Sequence, residues 1–409
     1  MLSNSAAGEE VPPYKKRKMS NSDSPMSSML PDDMVLSCVA RMSRSDHASL
    51  SLVSKRHRSL VASPELYRMR SLLGCAENCQ YVCLLTPIPR WFILSRGKSV
   101  NRRLLSPIPS PPPCGTLEAS SVVVLDWGIY VIGGLRNGKS TSDVWVLDCR
   151  THTWRSLPPM KLPRANAAAG VVDGKIYVLG GFLFFCHSKW GEVFDPKTQT
   201  WECLPREEDA VYIHDSVVRD DKVYAVDGKE SVFYYSPREG KWGRGNRGER
   251  IGARHWCMVD NVLYCISAKG ALLWYEPEEL DRRDTERVMC SKEVNGLGSL
   301  KKSLSRSRLV HLDEQSSALW DSAKIRLGKT KKLVDLLPGA RLTNSGRNLL
   351  LFWDVVEGDR LEIWCAEISL QRRPQEGEIW GSVEWSNAVM TLDPFVDHYK
   401  VMYTASVTL

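Results

Sequence analysis

A pattern of short β-strands that repeats every 47 residues is the feature that most limits how this chain can fold. The sequence Ile-Tyr-Val-Ile-Gly-Gly at residues 129–134 recurs as Ile-Tyr-Val-Leu-Gly-Gly at 176–181 and, in a weaker form, as Val-Tyr-Ala-Val-Asp-Gly at 223–228. The tyrosine of each copy lies 47 residues after the previous one, and Trp154 and Trp201 are separated by the same interval. Repeats of about 40–50 residues with four strands each are typical of the blades of a β-propeller.

Each copy predicts four strands. In the first copy they are residues 121–125, 129–132, 144–147 and 154–157, and later groups lie at 256–259, 263–266 and 272–275 and at 349–353, 361–366 and 379–385. The double glycine ends the second strand at a turn in which a larger residue would be strained. Because the tyrosines and tryptophans recur with the repeat, we interpret them as packing between neighbouring blades rather than as ligand-binding residues.

The two ends of the repeat region are predicted to share one blade. Runs at 388–392 and 401–409 supply two strands after the fifth group, and runs at 81–85 and 91–94 supply the two that are missing. Pairing these runs closes the ring and removes two exposed sheet edges. We therefore expect six blades, the last of which is built from both ends of the region.

Residues 28–73 predict helices rather than strands. Pro31 is followed by Asp32 and Asp33, which is a favourable first turn. Proline gives up no needed hydrogen bond there, and acidic side chains suit the positive end of a helix. Apolar residues then recur at helical spacing. A core of about 45 residues is seldom stable by itself, so we expect another protein to complete it.

Three motifs of this helical segment resemble the F-box. They are Leu-Pro-Asp-Asp at residues 30–33, Val-Ala-Arg at 39–41 and Leu-Ser-Leu-Val-Ser-Lys-Arg at 50–56. Together with the repeated glycines, tyrosines and tryptophans, they make the chain similar to the plant F-box/kelch-repeat family. The resemblance implies a mainly β fold, in which a small all-α F-box at 28–73 precedes a kelch-type β-propeller at 80–409.

The same resemblance implies a role without catalysis. In that family the F-box binds the Skp-type adaptor of an SCF ubiquitin ligase, and through it a cullin, while the propeller holds the protein to be ubiquitinated. The residues that the resemblance places in or beneath the adaptor contact are Leu30, Pro31, Val35, Leu36, Val39, Leu50, Val53 and Lys55. A kelch interaction scaffold, or an F-box protein that acts outside a cullin ligase, is the alternative.

The connections after the second strand of each blade are the candidate substrate-binding loops, because binding residues concentrate on loops held by a rigid scaffold. They span 135–142, 182–190 and the turn at Lys229. The apolar run Phe-Leu-Phe-Phe at 182–185 is unusual for a connection, and it either anchors a partner or packs inside its own protein. The candidate substrate-binding residues are Arg136, Arg164, Phe182, Phe184, Phe185, His187, Lys189 and Arg254.

The net charge of +7 does not by itself indicate nucleic-acid binding. Nine Lys/Arg and three Asp/Glu lie between Lys301 and Lys332, so most of the excess belongs to one segment. A recognition surface needs its charge spread over a fold, and we do not expect nucleic acid as a partner. The stretch 301–345 is longer than the other connections and is either a loop, with its basic part at about 301–340, or an irregular seventh blade. We favour the loop.

We expect no enzymatic activity, no metal and no cofactor. The eight histidines form no ligand-like pair of the kind that a copper-binding propeller oxidase would use, and the sequence contains no Gly-rich phosphate loop or GxSxG motif. The nearest cysteine cluster, Cys75, Cys79 and Cys83, lacks a CxxC pair and a nearby histidine. No apolar run is long enough to span a bilayer, so no membrane is expected.

Residues 1–27 are rich in Ser, Pro and Asn and are predicted to be disordered. Within them, the basic cluster Lys-Lys-Arg-Lys at 15–18 resembles a nuclear import signal, and a solvated basic tail is the alternative. The predicted location is the nucleus, the cytoplasm or both.

Overall fold

The computed structural model describes thirteen segments of the chain. They are residues 31–86, 88–96, 102–109, 118–181, 190–205, 213–227, 231–247, 254–267, 270–281, 289–304, 341–357, 360–392 and 400–409. The predicted disordered tail with its basic cluster, Leu30, the apolar run at 182–185, Lys229 and residues 305–340 lie outside these segments. The predictions made for them stay predictions.

Four short helices open the described part of the chain: α1 (Asp32–Ala40), α2 (Arg44–Val53), α3 (Lys55–Ala62) and α4 (Pro64–Leu72). Asp32 and Asp33 occupy the first turn of α1, where their charge suits the helix end. At the start of α4, the Ser63 hydroxyl oxygen accepts the backbone N–H of Leu66 at 3.3 Å. The predicted helices are therefore present. No helix in the described segments is long and apolar enough to cross a membrane.

Six four-stranded antiparallel sheets follow the helices, and each is one blade of a propeller. Blade 6 begins with β1 (Asn78–Thr86), β2 (Ile88–Arg96) and β3 (Arg103–Pro107). Blade 1 consists of β4 (Ser121–Leu125) and β5 (Gly128–Ile132), a small hairpin of β6 (Leu135–Arg136) and β7 (Lys139–Ser140), and then β8 (Val144–Asp148) and β9 (Thr153–Leu157). Blade 2 contains β10 (Ala168–Val172), β11 (Lys175–Leu179), β12 (Gly191–Asp195) and β13 (Thr200–Cys203).

The remaining blades follow in sequence order. Blade 3 contains β14 (Ile213–Arg219), β15 (Lys222–Asp227), β16 (Ser231–Ser236) and β17 (Lys241–Arg247). Blade 4 contains β18 (Arg254–Val259), β19 (Val262–Ile266), β20 (Leu272–Tyr275), a 3-10 helix (Pro277–Leu280) and β21 (Lys292–Glu293), and it is followed by α5 (Gly298–Leu304). Blade 5 contains β22 (Arg341–Ser345), β23 (Asn348–Glu357), β24 (Arg360–Arg373) and β25 (Glu378–Leu392), and β26 (Lys400–Thr408) completes blade 6.

The first strands of the six blades, β4, β10, β14, β18, β22 and β26, form a closed ring. Each contacts the first strand of the next blade, and β26 contacts β4. The predicted six-bladed β-propeller is thus confirmed. The runs predicted at 121–125 and 272–275 coincide with β4 and β20.

Blade 6 is built from both ends of the propeller, but its strands are divided differently from the prediction. Its order is β26-β1-β2-β3, so the C-terminal part contributes one strand and the N-terminal part three. The run at 388–392, predicted as a separate strand of blade 6, is instead the end of β25, which pairs with β24 along its whole length. The prediction missed β3 because this strand is short and ends in a proline.

The stretch 301–345, predicted as one loop, contains regular structure at both of its described ends. Residues 301–304 belong to α5, whose Leu300 and Leu304 are buried among residues of blades 4 and 5. Residues 341–345 form β22, the first strand of blade 5. The sequence of β22, Arg-Leu-Thr-Asn-Ser, has one large apolar residue, which explains why it was not recognised as a strand.

A tryptophan in the last strand of blades 1, 2 and 3 ties each of these blades to the preceding one. The indole N–H groups of Trp154, Trp201 and Trp242 donate to the carbonyls of Pro109, Pro158 and Pro205 at 3.1, 2.8 and 2.8 Å, respectively. Each proline lies one or two residues after the last strand of the preceding blade. The interpretation of these repeated tryptophans as packing between blades is confirmed.

The propeller completes part of the small helical core. Val39 and Leu66 are buried in one apolar cluster with Tyr81 and Leu409. The expectation that a second protein completes this core is therefore wrong for this side of the helices, because blades 1 and 6 cover it.

Closure of the ring by β26 predicts that substitutions at two neighbouring residues of this strand differ strongly in their effect on stability. Val407 is fully buried, whereas Thr408 points outward and donates to Asn78 Oδ1 at 2.8 Å. Val407→Asp places a charge in an apolar cluster and should destabilise the protein by more than ~4 kcal/mol. Thr408→Asp loses one exposed hydrogen bond and should cost no more than ~1 kcal/mol. Urea unfolding measures both, and equal midpoints would contradict the closure.

Candidate partner-binding surfaces

Antiparallel strands send successive turns to opposite faces of the propeller, and the helices mark one of these faces. Trp127, between the first two strands of blade 1, packs against Tyr67 of α4 with ring centroids 6.4 Å apart. The carbonyl of Cys149, after the third strand, accepts a hydrogen bond from Arg44 of α2. We call this side the helix face. The opposite side, at which each second strand ends and each first strand begins, is the open face.

The predicted substrate-binding residues are only partly placed by the structure. Arg136 lies at the open face in the hairpin of β6 and β7, where its partly exposed guanidinium pairs with Asp143. Arg254 is the first residue of β18, at the open-face end of that strand, and is paired with Ile266. The other candidates between β11 and β12 lie outside the described segments and stay predictions: Phe182, Phe184, Phe185, His187 and Lys189.

The prediction that Arg164 contacts a substrate is wrong, because its side chain is buried. It is 1% exposed, and its partner Glu192 is 0% exposed. The Arg164 Nε and Nη2 groups donate to Glu192 Oε1 at 3.1 and 2.9 Å. Burial lowers the pKa of the guanidinium, and the Glu192 carboxylate opposes this shift. Sequence alone gave no sign of this burial, because an arginine after a proline in a connection ordinarily lies at the surface.

The buried Arg164 instead supports the open face from beneath. Its Nη1 group donates to the carbonyls of Gly180 and Trp190, at 2.6 and 3.0 Å. These two residues flank the connection between β11 and β12. Glu192 also accepts the backbone N–H of Lys161 at 2.7 Å, so the ion pair joins the end of blade 1 to the base of the next loop.

The predicted adaptor-contact residues fall on two sides of the helical module. Val39 is 5% exposed and packs in the cluster shared with blades 1 and 6, and Leu50 packs against the same cluster. They lie beneath any contact surface rather than in it. Pro31, Val53 and Lys55 are exposed, so they are available to a partner.

Between α1, α3 and the start of α4 lies a groove of about 470 Å³. The residues that line it are Asp32, Asp33, Val35, Leu36, Arg56, Ser59, Leu60, Ser63 and Glu65. The partly buried Val35 and Leu36, both predicted adaptor contacts, give the groove an apolar wall. Its rim carries three carboxylates, and one of them, Asp32, pairs with Arg56.

The outward side of α2 carries an apolar patch that sequence reasoning identified only in part. Leu52 is 78% exposed and Val53 is 67% exposed. Val53 was a predicted contact, but Leu52 was missed. Helical spacing could have identified Leu52 as exposed. Leu50 faces the core, and a residue two positions further along a helix lies on a different face.

Metal-binding side chains do not gather in the described segments, where no group of three His, Cys, Asp or Glu residues is close enough to hold an ion. Of the three cysteines that lie close together in sequence, Cys79 and Cys83 are buried in β1. Burial raises the pKa of both thiols, which favours their protonated form.

Family models match both parts of the chain. The F-box domain matches residues 27–69, and the FKB95, Kelch-repeats domain matches residues 91–334. The second match begins inside β2 and stops before β22, whereas the propeller of the structure extends from β1 to β26. The helical module is thus an F-box, and the sheets are those of a kelch-repeat propeller.

Full-length relatives give the same result. In Arabidopsis thaliana, F-box/kelch-repeat protein At4g39550 is 36% identical, and the alignment covers 97% of this chain and 99% of that protein. F-box/kelch-repeat protein At4g39590, from the same plant, is also 36% identical, with 95% and 93% covered. The chain belongs to the F-box/kelch-repeat family.

The ion pair under the open face predicts a non-additive mutational series. Arg164→Met leaves Glu192 buried without a cation and should cost about 3–5 kcal/mol. The double change Arg164→Met with Glu192→Leu should recover part of this loss, because no unpaired charge remains. Arg136→Met, which removes the partly exposed pair with Asp143, should cost less than ~1 kcal/mol. Thermal and urea unfolding measure the loss of stability of Arg164→Met, of Glu192→Leu and of the double variant. The assignment would be contradicted if the loss in the double variant equalled the sum of the losses in the two single variants.

Proposed function

We propose that this protein is the substrate-recognition subunit of an SCF-type ubiquitin ligase. Its F-box binds a Skp-type adaptor and, through it, a cullin, while its propeller holds the protein to be ubiquitinated. The observation that carries the proposal is the division of the F-box into two sides. One side is buried against the propeller, and the other presents apolar residues to solvent.

The outward side of the F-box has the properties of a protein-binding surface. Leu52 and Val53 expose apolar side chains at the end of α2, and burial of such a side chain contributes about 1.5–3 kcal/mol. Met34 of α1 is also exposed, and the groove beside it has an apolar wall and an acidic rim. A partner with apolar residues and a few basic groups would complement this surface.

The open face is the proposed substrate-binding surface. It is the face away from the F-box, so a bound protein there does not compete with the adaptor for space. The second strands end at this face, which also carries the hairpin with Arg136. A receptor of this kind acts by raising the effective concentration of the substrate near the conjugating enzyme. It needs no catalytic residue, and the proposal therefore includes no enzymatic activity of the chain itself.

The location of the protein is part of the same proposal. A ligase subunit of this kind acts in the nucleus, the cytoplasm or both, and the basic cluster at residues 15–18 supports nuclear import. A reporter fused to residues 1–27 that stayed wholly cytoplasmic would remove that support.

The proposal predicts that charge on the outward patch abolishes adaptor binding. Leu52→Glu and Val53→Glu should each raise the dissociation constant for a purified Skp-type adaptor by about tenfold or more. This corresponds to a loss of ~1.4 kcal/mol of binding free energy. The control is Ile88→Glu, because Ile88 is also apolar and 57% exposed but begins β2 at the open face. Its adaptor affinity should not change. Titration calorimetry measures the three variants.

Undiminished binding by both α2 variants would contradict the assigned surface. Co-purification of the native chain with the adaptor but without a cullin would instead identify an F-box protein that acts outside the ligase.

A further inference from the structure

The F-box joins the propeller through a very short connection. Helix α4 ends at Leu72 and β1 begins at Asn78, so five residues separate them. Two arginine side chains, Arg44 of α2 and Arg70 of α4, cross from the F-box into the junction with the propeller. Both side chains form hydrogen bonds, which are directional, whereas the apolar residues around them make non-directional packing contacts.

Arg70 is 1% exposed and joins the end of α1, the backbone of Leu409 and the side chain of Glu77. Its Nη1 group donates to the carbonyls of Ala40 and Met42, at 3.1 and 2.5 Å, where α1 ends. Its Nε group donates to the Leu409 carbonyl at 3.3 Å, and its Nη2 group donates to Glu77 Oε1 at 2.9 Å. Glu77 and Leu409 also exchange backbone hydrogen bonds of 2.7 and 2.9 Å. One guanidinium therefore ties two F-box helices to the strand pair that closes the ring.

Arg44 makes the corresponding contact with blade 1. Its Nη1 group donates to the Tyr67 hydroxyl at 3.0 Å, and its Nη2 group donates to the Cys149 carbonyl. The Nε2 atom of His152 lies 3.5 Å from the same Nη2 group and 3.0 Å from the Tyr81 hydroxyl. The side chain thus spans the boundary between α2, α4 and the last turn of blade 1.

The electrostatics of this junction suit a fixed arginine. Burial, with the nearby Arg44 charge adding to it, lowers the pKa of His152 to about 4. The imidazole is therefore neutral at physiological pH and does not repel the guanidinium. Hydrogen bonds donated by a charged group are stronger than those between neutral groups, and their geometry is specific. Apolar packing alone would permit small rotations, whereas these contacts select one orientation.

We propose that Arg44 and Arg70 are positioning residues that hold the F-box in a single orientation on the helix face of the propeller. The inference rests on the proposed function in one respect: a fixed orientation determines the direction in which a bound substrate is presented to the ligase. Effective concentration depends strongly on whether a connection is rigid, because a rigid one confines the substrate to a small volume. Loss of the two arginines leaves both domains folded but spreads their relative orientations.

The first test measures orientation in the full-length chain without any partner. Spin labels are attached to unnatural amino acids at Lys55 in α3 and Lys197 in a turn of blade 2, which are both exposed. The native chain should give one narrow distance distribution. Arg44→Met and Arg70→Gln should broaden it. The control is Arg68→Met, which removes an exposed arginine of α4, the helix that also contains Arg70. This variant should leave the distance distribution unchanged.

Two results of this test would overturn the inference. One is a distribution that is already broad in the native chain, and the other is a distribution that stays narrow in the Arg44 variant. Should Arg70→Gln fail to fold, Arg44→Met decides the question, because Arg44 is less deeply buried than Arg70. Arg44→Lys, which keeps the charge but loses the fork of donors, should give an intermediate width.

The second test separates orientation from adaptor binding. The chain itself is the ubiquitin acceptor in a ligase reconstituted with adaptor, cullin and conjugating enzyme, and modified lysines are mapped by mass spectrometry. The native protein should be modified at a restricted set of propeller lysines. In Arg44→Met the set should widen while the adaptor dissociation constant is unchanged. An unchanged set overturns the inference, whereas no modification of the native chain counts against the proposed function and leaves the distance measurement to decide the inference.

Discussion

The pairing of β26 with β1 is the interaction on which the rest of the architecture depends. In its register, Cys79 lies opposite Val407 and Tyr81 lies opposite Ala405, so residues more than 300 positions apart complete one sheet. Without this pairing the ring has two open sheet edges. The same pairing fixes the position of the F-box, because only five residues separate α4 from β1 and Arg70 reaches the backbone of Leu409. Ring closure and the placement of the F-box are therefore one structural event.

This arrangement separates two surfaces by the thickness of the propeller. The turns of blade 1 and the closing strands hold the F-box on the helix face, and its outward side remains apolar and exposed. The second strands end at the open face, where the buried Arg164, paired with Glu192, holds Gly180 and Trp190, on either side of the connection between β11 and β12. The family's repeat thus provides a spacer with one proposed partner-binding surface on each side.

Sequence patterns predicted what depends on local periodicity. The repeated glycines, tyrosines and tryptophans predicted the blades, and the proline followed by two acidic residues predicted where α1 begins. Patterns failed where burial depends on distant parts of the chain. Arg164 is buried because Glu192 of the next blade neutralises it, and Val39 is covered by strands that follow it by tens or hundreds of residues. The polar strand β22 is recognisable only from its pairing with β23. The propeller adds apolar cover to the F-box that no local window of sequence contains.

Hydrogen–deuterium exchange of the free and adaptor-bound chain tests most directly the claim that the F-box is docked on one side and available on the other. Peptides over the end of α4 and over residues 147–152 should exchange slowly in both states, because each domain already covers the other there. Peptides over α2 and α3 should gain protection only with the adaptor, and those at the open face should not change. Rapid exchange of the α4 and blade 1 peptides in the free chain would contradict the docked arrangement.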